Sequence, residues 1–464
     1  MNAPDRPLAD IARYVHSHEV AEDSIAAARL CLADALACAL EALDQPDCTR
    51  LLGPLVPGTV VPNGSRVPGT SYVLEPDKAA FDLAATIRWL DYNDATSGAL
   101  TTHPSDTVGA ILTLADHLSR SRRPASTMRD VFDAMVRAYE IQGTLGLLND
   151  FRKHGIDQPL LARVATAAVC TRLLGGSERQ ILNATSNAFI ETTLSVVRNA
   201  PNIGTRKNWA TAAAIADSVR MAYLAMKGED GYPWVLSAPE LGFHAARFGG
   251  EELQLPALGD DVIRRVMFKL VPAGMHGQTA AECAFRLHPQ VDGRLDAIER
   301  ITLRCHRTLM RIMDKRGELR NAADRDHCVQ YIVAVGLIFG AIGPNDFSDA
   351  FAADPRIDAL RAKMELAEDE RYTRDFSDPA KRSSANSVEV QFRDGTSSGR
   401  IEVEYPAGHP RRRAEALPLL EAKLDAALAR RYTPARCEQI AAVFADPEKL
   451  DRTAVHQFVD LLAP

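Results

Sequence analysis

The sequence predicts a mainly α protein with an α+β lid: a large discontinuous all-helical domain and a smaller α+β domain inserted into it. Two observations carry that prediction. Up to about residue 227 the chain repeats Ala/Leu-rich stretches of helical periodicity, each bounded by Pro, Gly or Asp/Ser/Thr. After Leu258 short alternating segments interleave with helical ones, and from Arg411 the pattern is helical again. The 464 residues suffice for two or three domains, each with its own core. The expected division is 1–262 helical, 263–408 α+β lid, and 409–464 C-terminal helices packing back on the first part.

Taken in order, 22–44 is rich in Ala and Leu, strong helix formers. Helical patterns recur at about 77–90, 107–120, 128–148, 159–174, 178–194 and 208–227. Ser105-Asp106 and Ser177 have the residue types that cap the helices following them. In the second part Ile263–Leu270, Glu299–Cys305, Ser387–Phe392 and Arg400–Tyr405 read as strands. The last two flank Asp394-Gly395, a hairpin signal. Helices are expected at 277–288, 322–340 and 355–367 between the strands, then at 413–430, 434–445 and 453–462.

Composition narrows the function. Hydrophobic residues at 46% and charged residues at 25% are ordinary for a soluble globular protein. The formal net charge of −7 argues against a nucleic-acid partner, which needs a cationic face. No apolar run approaches the roughly 18 residues of a membrane span, and the N-terminus lacks a signal-peptide core. The eight cysteines include no C-x-x-C pair. They therefore suggest neither a disulfide framework nor a metal or cluster ligand set. A cytoplasmic location is the expectation. In a negative chain, an anionic ligand requires a local basic pocket.

Four segments concentrate groups able to do chemistry. The first runs from Arg88-Trp89-Leu90-Asp91-Tyr92-Asn93-Asp94 to Thr101-Thr102-His103-Pro104-Ser105-Asp106, a polar loop that leads into a helix N-terminus, where N–H groups are free for an anion. Its alternative reading is structural: Asp106 caps a helix and His103 packs on Tyr92. The second, Ala200–Trp209, sets Arg206 and Lys207 at a loop-to-helix junction, where a lysine works against the helix dipole. The third, Phe268–Thr279, brings Lys269, His276 and Gln278 together around a Pro/Gly turn. The fourth, Asp314–Tyr331, opens a long apolar helix with Asp324, Arg325, Asp326 and His327; acids there also suit an ion-paired cap. H-E-x-x-H, the phosphate-binding Gly-rich loop and the dinucleotide fingerprint are all absent. The residues point to an anionic substrate and acid–base chemistry without an obvious cofactor.

These segments resemble the MmgE/PrpD family. The stretches that carry the resemblance are R-W-L-D-Y-N-D (88–94), H-P-S-D (103–106), R-K-N-W-A (206–210), G-Y-P-W-V-L-S-A-P-E-L-G-F (231–243), H-G-Q-T-A (276–280), A-D-R-D-H-C-V-Q-Y (323–331) and I-E-V-E-Y-P-A-G-H-P-R-R-R (401–413). The resemblance implies a helical domain with an α+β lid, a homodimer, no cofactor and no metal. It also implies a hydro-lyase that eliminates water from a small tricarboxylate: 2-methylcitrate to 2-methyl-cis-aconitate, in propionate catabolism. Other reactions of the family, cis-aconitate decarboxylation and iminodisuccinate epimerisation, stay open, as does a catalytically silent carboxylate-binding protein.

By the same resemblance the catalytic positions are Asp91, His103, Lys207, Lys269, His276 and Tyr331. Asn93, Arg206, Gln158, Gln278 and Arg325 are the substrate-binding candidates. The chain departs from the family pattern at Gln158, where the family has a histidine, and at Ala95, which displaces the threonine of D-x-N-D-T to Thr96. Glutamine can hydrogen-bond but cannot carry a proton. The expected chemistry places His103 and His276 as the acid–base pair, with Lys207 and Lys269 stabilising charge that builds on a substrate carboxylate. Asp91 and Tyr331 orient the substrate or an imidazole.

Overall fold

A computed structural model of the chain describes residues 3–122, 124–199 and 203–464. Its first half consists of long helices, including Glu22–Ala42, Pro76–Trp89, Val108–Ser121, Met128–Leu148, Pro159–Leu173 and Arg206–Met226. Small residues explain how closely they pack. A Cβ added to Gly109 would lie 2.6 Å from Ala84, so Val108–Ser121 sits almost directly on Pro76–Trp89. Two helix starts carry capping boxes, Thr127 with Asp130 and Ser177 with Gln180. The Ser177 cap is the one the sequence predicts. A two-stranded ribbon, β1 (Ser65–Arg66) and β2 (Val73–Leu74), decorates this part.

The second half carries a four-stranded sheet. Its strands are β3 (Ile298–Cys305), β4 (Met364–Glu368), β5 (Asn386–Phe392) and β6 (Ile401–Val403), in the order β4-β3-β5-β6. Only β3 and β4 are parallel. Helices Gln278–Val291 and Val329–Phe339 pack with the sheet around a second apolar core that includes Leu287, Ile301, Leu303, Ile332 and Val388. The first core joins residues of the N-terminal helices to Ala416, Leu420, Phe458 and other side chains of the C-terminal tail. Where the chain passes between the cores its two crossings touch, and Phe268 N–H donates to Gly408 O at 3.0 Å. A Cβ on Gly408 would lie 2.0 Å from the carbonyl oxygen of Phe268, so only glycine fits there.

Four local expectations give way. The helix expected over 178–194 stops at Ala188. Ile263–Leu270 is not a strand of the sheet: Val262–Arg265 is a helical turn, and Met267 makes a single bridge to Ala95. The helix expected over 355–367 stops at Ala362, and Met364–Glu368 becomes β4 because a parallel partner, β3, is available to it. The helix expected over 322–340 is interrupted, running as Ala322–Arg325 and then Val329–Phe339. Asp326 and His327 lie in the break, where their side chains are free to turn away from a helix surface.

Candidate active site

Both halves of the chain line one narrow cleft, whose free volume of about 50 Å³ is small for a ligand site. The helical half contributes Arg88, Asp91, Thr101, His103, Arg152, Asp157, Gln158 and Arg198. The lid side contributes Gly274, Met275, His276, Ile312, Met313 and His327. The helical wall thus carries three guanidiniums and two carboxylates, and the lid wall is largely apolar with two imidazoles.

The polar loop after Trp89 builds the floor. Asp91 follows the helix end with a left-handed backbone, φ 48°, a strained conformation for a non-glycine residue of the kind that clusters at functional sites. Neither Ser105 nor Asp106 caps the next helix. Ser105 donates its Oγ–H to Asp94 at 2.6 Å, and Asp106 accepts from Asn93 at 2.8 Å. Tyr139 holds the other oxygen of Asp94 at 2.9 Å. Burial pushes the carboxyl of Asp94 up to about 7 and that of Asp106 up to about 6.

This scaffold orients His103. Its Nδ1 lies 2.8 Å from the carbonyl oxygen of Asp94, an atom that can only accept. The proton is therefore on Nδ1, and Nε2 keeps its lone pair. Burial first, then the charges of Arg88 and Lys269, hold the imidazole well below its ordinary pKa. A neutral imidazole with a free Nε2 lone pair is a general base.

Behind the floor lies a charge cluster. Arg88 meets Asp91 at 2.9 Å, and Lys269 pairs with the same carboxylate while donating to its backbone oxygen at 2.9 Å. Lys207 lies 2.6 Å from Asp326, 3.5 Å from Asp91 and 3.0 Å from His327 Nδ1. Burial works to raise the pKa of Asp91, but Arg88, Lys269 and Lys207 outweigh it and hold the carboxyl well below the usual range. Burial pushes the Lys269 ammonium down to about 8 in spite of Asp91. Asp91, Asp326 and His327 each offer a ligand atom within 4.8 Å of the others, the spacing of a cation site. The cation placed against them is the ammonium of Lys207.

The sequence-predicted residues divide accordingly. Asp91, His103, Gln158 and His276 line the cleft. Lys207 and Lys269 are fully buried in the cluster behind it, and neither belongs to the cleft wall. Asn93 lies under the floor, braced between Arg88, Ser105 and Asp106. Four residues are elsewhere. Tyr331 is in the lid core and donates to Asp346 O at 2.6 Å. Arg206 is exposed and covers Trp209, 4.2 Å from its ring centre. Arg325 braces Phe347 O and Asp349. Gln278 bonds the backbone of Leu270, Val271 and Ala273, fixing the turn between Lys269 and His276. Ala200, Pro201 and Asn202 of the second segment lie outside the described residues.

Gln158 is fixed by Thr211 at 2.7 Å and Gln142 at 3.2 Å, which sets its amide as a hydrogen-bonding wall. Ala95 is buried and pairs its backbone with Met267, while Thr96 bonds Thr102 at 2.6 Å. The cleft residues not among the sequence-predicted candidates are Arg88, Thr101, Arg152, Asp157, Arg198, Gly274, His327 and the apolar Met275, Ile312 and Met313. Arg198 pairs with Asp157 at 2.7 Å, and the Nε–H of Arg152 is buried without a partner. The available signal was the cationic run Arg152-Lys153-His154 just before the Gly155–Gln158 stretch; the apolar three had none.

Comparison with known proteins agrees with this architecture. The MmgE/PrpD N-terminal domain matches residues 8–256 and the MmgE/PrpD C-terminal domain matches 271–446. The chain is 46% identical to a 2-methylcitrate dehydratase of Cupriavidus necator, over 99% of this chain and 97% of that one. It is 45% identical to the 2-methylcitrate dehydratase of Escherichia coli K12, over 98% and 97%. An alkylcitrate dehydratase from a fungal species is 37% identical, over 98% and 93%. On a cleft assembled from both matched domains, and on relatives spanning nearly its whole length, the chain belongs to the MmgE/PrpD family.

Proposed function

We propose that this chain is a hydro-lyase that converts 2-methylcitrate to 2-methyl-cis-aconitate by acid–base elimination of water. The observation that carries the reading is the cleft itself: a neutral imidazole with an available lone pair, an arginine-bearing wall and an apolar lid in one small space. Near full-length similarity to several 2-methylcitrate dehydratases supports the choice of substrate.

The substrate has three carboxylates, a tertiary hydroxyl and a methyl group on the carbon that loses its proton. His103 Nε2 takes that proton. As the C–H bond breaks, charge builds on the adjacent carboxylate, and the guanidinium groups of Arg88, Arg152 and Arg198 counter it with charge-assisted hydrogen bonds. Lys207 and Lys269 act one layer behind, keeping Asp91 ionised and fixed. His276, on the opposite wall, acts on the hydroxyl that leaves. The methyl group lies against Met275, Ile312 and Met313. The reaction takes place in the cytoplasm; the unpaired state of all eight cysteines suits a reducing compartment. The homodimer rests on the family resemblance, and sedimentation of the purified protein checks it.

The deciding experiment incubates purified, chelator-dialysed protein with 2-methylcitrate, citrate and cis-aconitate and follows absorbance of the conjugated product. Turnover of 2-methylcitrate at the rate of undialysed protein is the expected result. Activity that needs added iron or zinc would refute the proton-transfer scheme, and no turnover of any of the three acids would leave a binding protein.

A further inference from the structure

The scheme above leaves two buried nitrogens unused. Nδ1 of His276 and Nε2 of His306 are each buried without a hydrogen-bond partner, although buried polar atoms are paired in the great majority of cases. Their rings are neighbours, with centres 5.1 Å apart and planes inclined at 60°. A hydrogen bond between the two nitrogens requires the His276 ring to turn toward His306.

Which of them donates is fixed by the fold. His306 precedes the helix Arg307–Met313, and its Nδ1 accepts the N–H of Leu309 at 3.3 Å. An accepting nitrogen carries no proton, so in neutral His306 the proton is on Nε2. Burial pushes the imidazole down to about 4, which keeps it neutral near pH 7. Phe376 stacks on the ring at 4.1 Å and 9°, holding its plane. One orphan is thus an N–H donor, and the other can accept it.

We propose that His306 is a positioning residue that selects the tautomer of His276: Nε2–H of His306 donates to Nδ1 of His276, which keeps the proton of His276 on Nε2, toward the cleft. The two imidazoles of the cleft then differ in kind. His103 presents a lone pair, because Asp94 takes its Nδ1–H. His276 presents an N–H, because His306 occupies its Nδ1.

What that N–H does rests on the function proposed above. His276 is then a neutral hydrogen-bond donor to the departing hydroxyl rather than a proton source. The balance closes without an imidazolate. The C–H proton moves to His103, the C–H electron pair forms the double bond as the C–O bond breaks, and the proton carried by His103 leaves with the hydroxyl as water. The groups around His276 favour its neutral form. His306 and Phe376 flank its ring, and burial, then His306, Arg152, His327 and Lys269, all work against protonation.

Two substitutions separate positioning from folding. His306→Asn keeps an acceptor at the Nδ1 position, and so the helix cap, but is too short to reach His276. His306→Gln restores an N–H at the Nε2 position and gives up the cap. H306N gives up the Phe376 stack and should melt somewhat below the wild type, yet while folded it should lose about tenfold or more in kcat with little change in KM, the scale of losing a group that orients a functional histidine. H306Q should melt earlier and keep most of kcat. Nitrogen NMR of histidine-labelled protein without substrate, with His276 assigned by its absence in H276Q, should report the Nε2–H tautomer in wild type and H306Q and a mixture in H306N. A proton on Nδ1 of His276 in the wild type overturns the proposal. So does H306N with wild-type kcat and tautomer, or a parallel loss of kcat and melting temperature in both variants. The spectra need no substrate, so they decide the tautomer even if no alkylcitrate is turned over.

Discussion

Replacing Ile312 by Ala tests whether the lid wall reads the substrate's alkyl group. Ile312 lies in the cleft beside Met275 and Met313 and is half-buried. The substitution removes three side-chain carbons from the wall. Each methylene buried is worth about 0.8 kcal/mol, or roughly fourfold in an equilibrium or rate ratio. An ethyl homologue of the substrate adds one methylene, which the shortened wall can receive. The ratio of kcat/KM for 2-ethylcitrate over 2-methylcitrate should therefore rise at least about fourfold in I312A. It should rise further if the wild type rejects the larger group by overpacking, which costs about 1–3 kcal/mol. Activity on 2-methylcitrate should fall by a similar factor, as its methyl loses contact. Stability should drop less than the 2–5 kcal/mol typical of truncating a fully buried residue. The assay is initial rate with each acid separately, alongside a melting curve. An unchanged or lower ratio in a folded variant would refute the assignment of this wall.

Lys207→Met leaves Asp91 and Asp326 short of a buried partner. Kcat/KM should fall at least roughly 100-fold, the scale of about 3 kcal/mol for breaking a buried pair, and near wild-type kinetics would sink the supporting role of the cluster. His103→Gln should lose about 10²–10⁴-fold in kcat with a modest change in KM, as expected for a general base; a loss confined to KM would assign His103 to binding instead. The base form of His103 is the form above its pKa. Since burial lowers that pKa, kcat/KM should hold level from pH 7.5 to 6.5, where an unperturbed histidine base would already lose activity. On the alkaline side the Lys269 ammonium is present only below its pKa, so activity should decline as pH rises through about 8. A profile flat to pH 10 would contradict that role. Gly408→Ala should unfold or strongly destabilise the protein, because its Cβ would meet the Phe268 carbonyl at 2.0 Å; an unchanged melting temperature would contradict the close crossing.

Much was legible along the chain because it is locally encoded. Helical periodicity located the long helices, strand alternation located β3 and β5, and the quoted stretches placed the family and three of the cleft candidates, Asp91, His103 and His276, with Gln158 found as a departure from the family pattern. These features depend on neighbours a few residues away, and the family stretches are themselves contiguous. Only the tertiary structure decided which charges meet. Lys207 pairs with a carboxylate 119 residues later, and Lys269 with one 178 residues earlier. Those partners cover both ammoniums and withdraw them from the cleft wall, where Arg88 and Arg198 are in turn paired with Asp91 and Asp157 and Arg152 keeps a buried Nε–H without a partner. Likewise β4 exists because β3 offers it a parallel edge, and a single helix at 322–340 gives way to a break at Asp326 and His327, whose side chains turn to Lys207. A residue's chemical type is written in the sequence; whether its charge is spent on a neighbour or offered to a ligand depends on partners that only folding brings within a few ångströms.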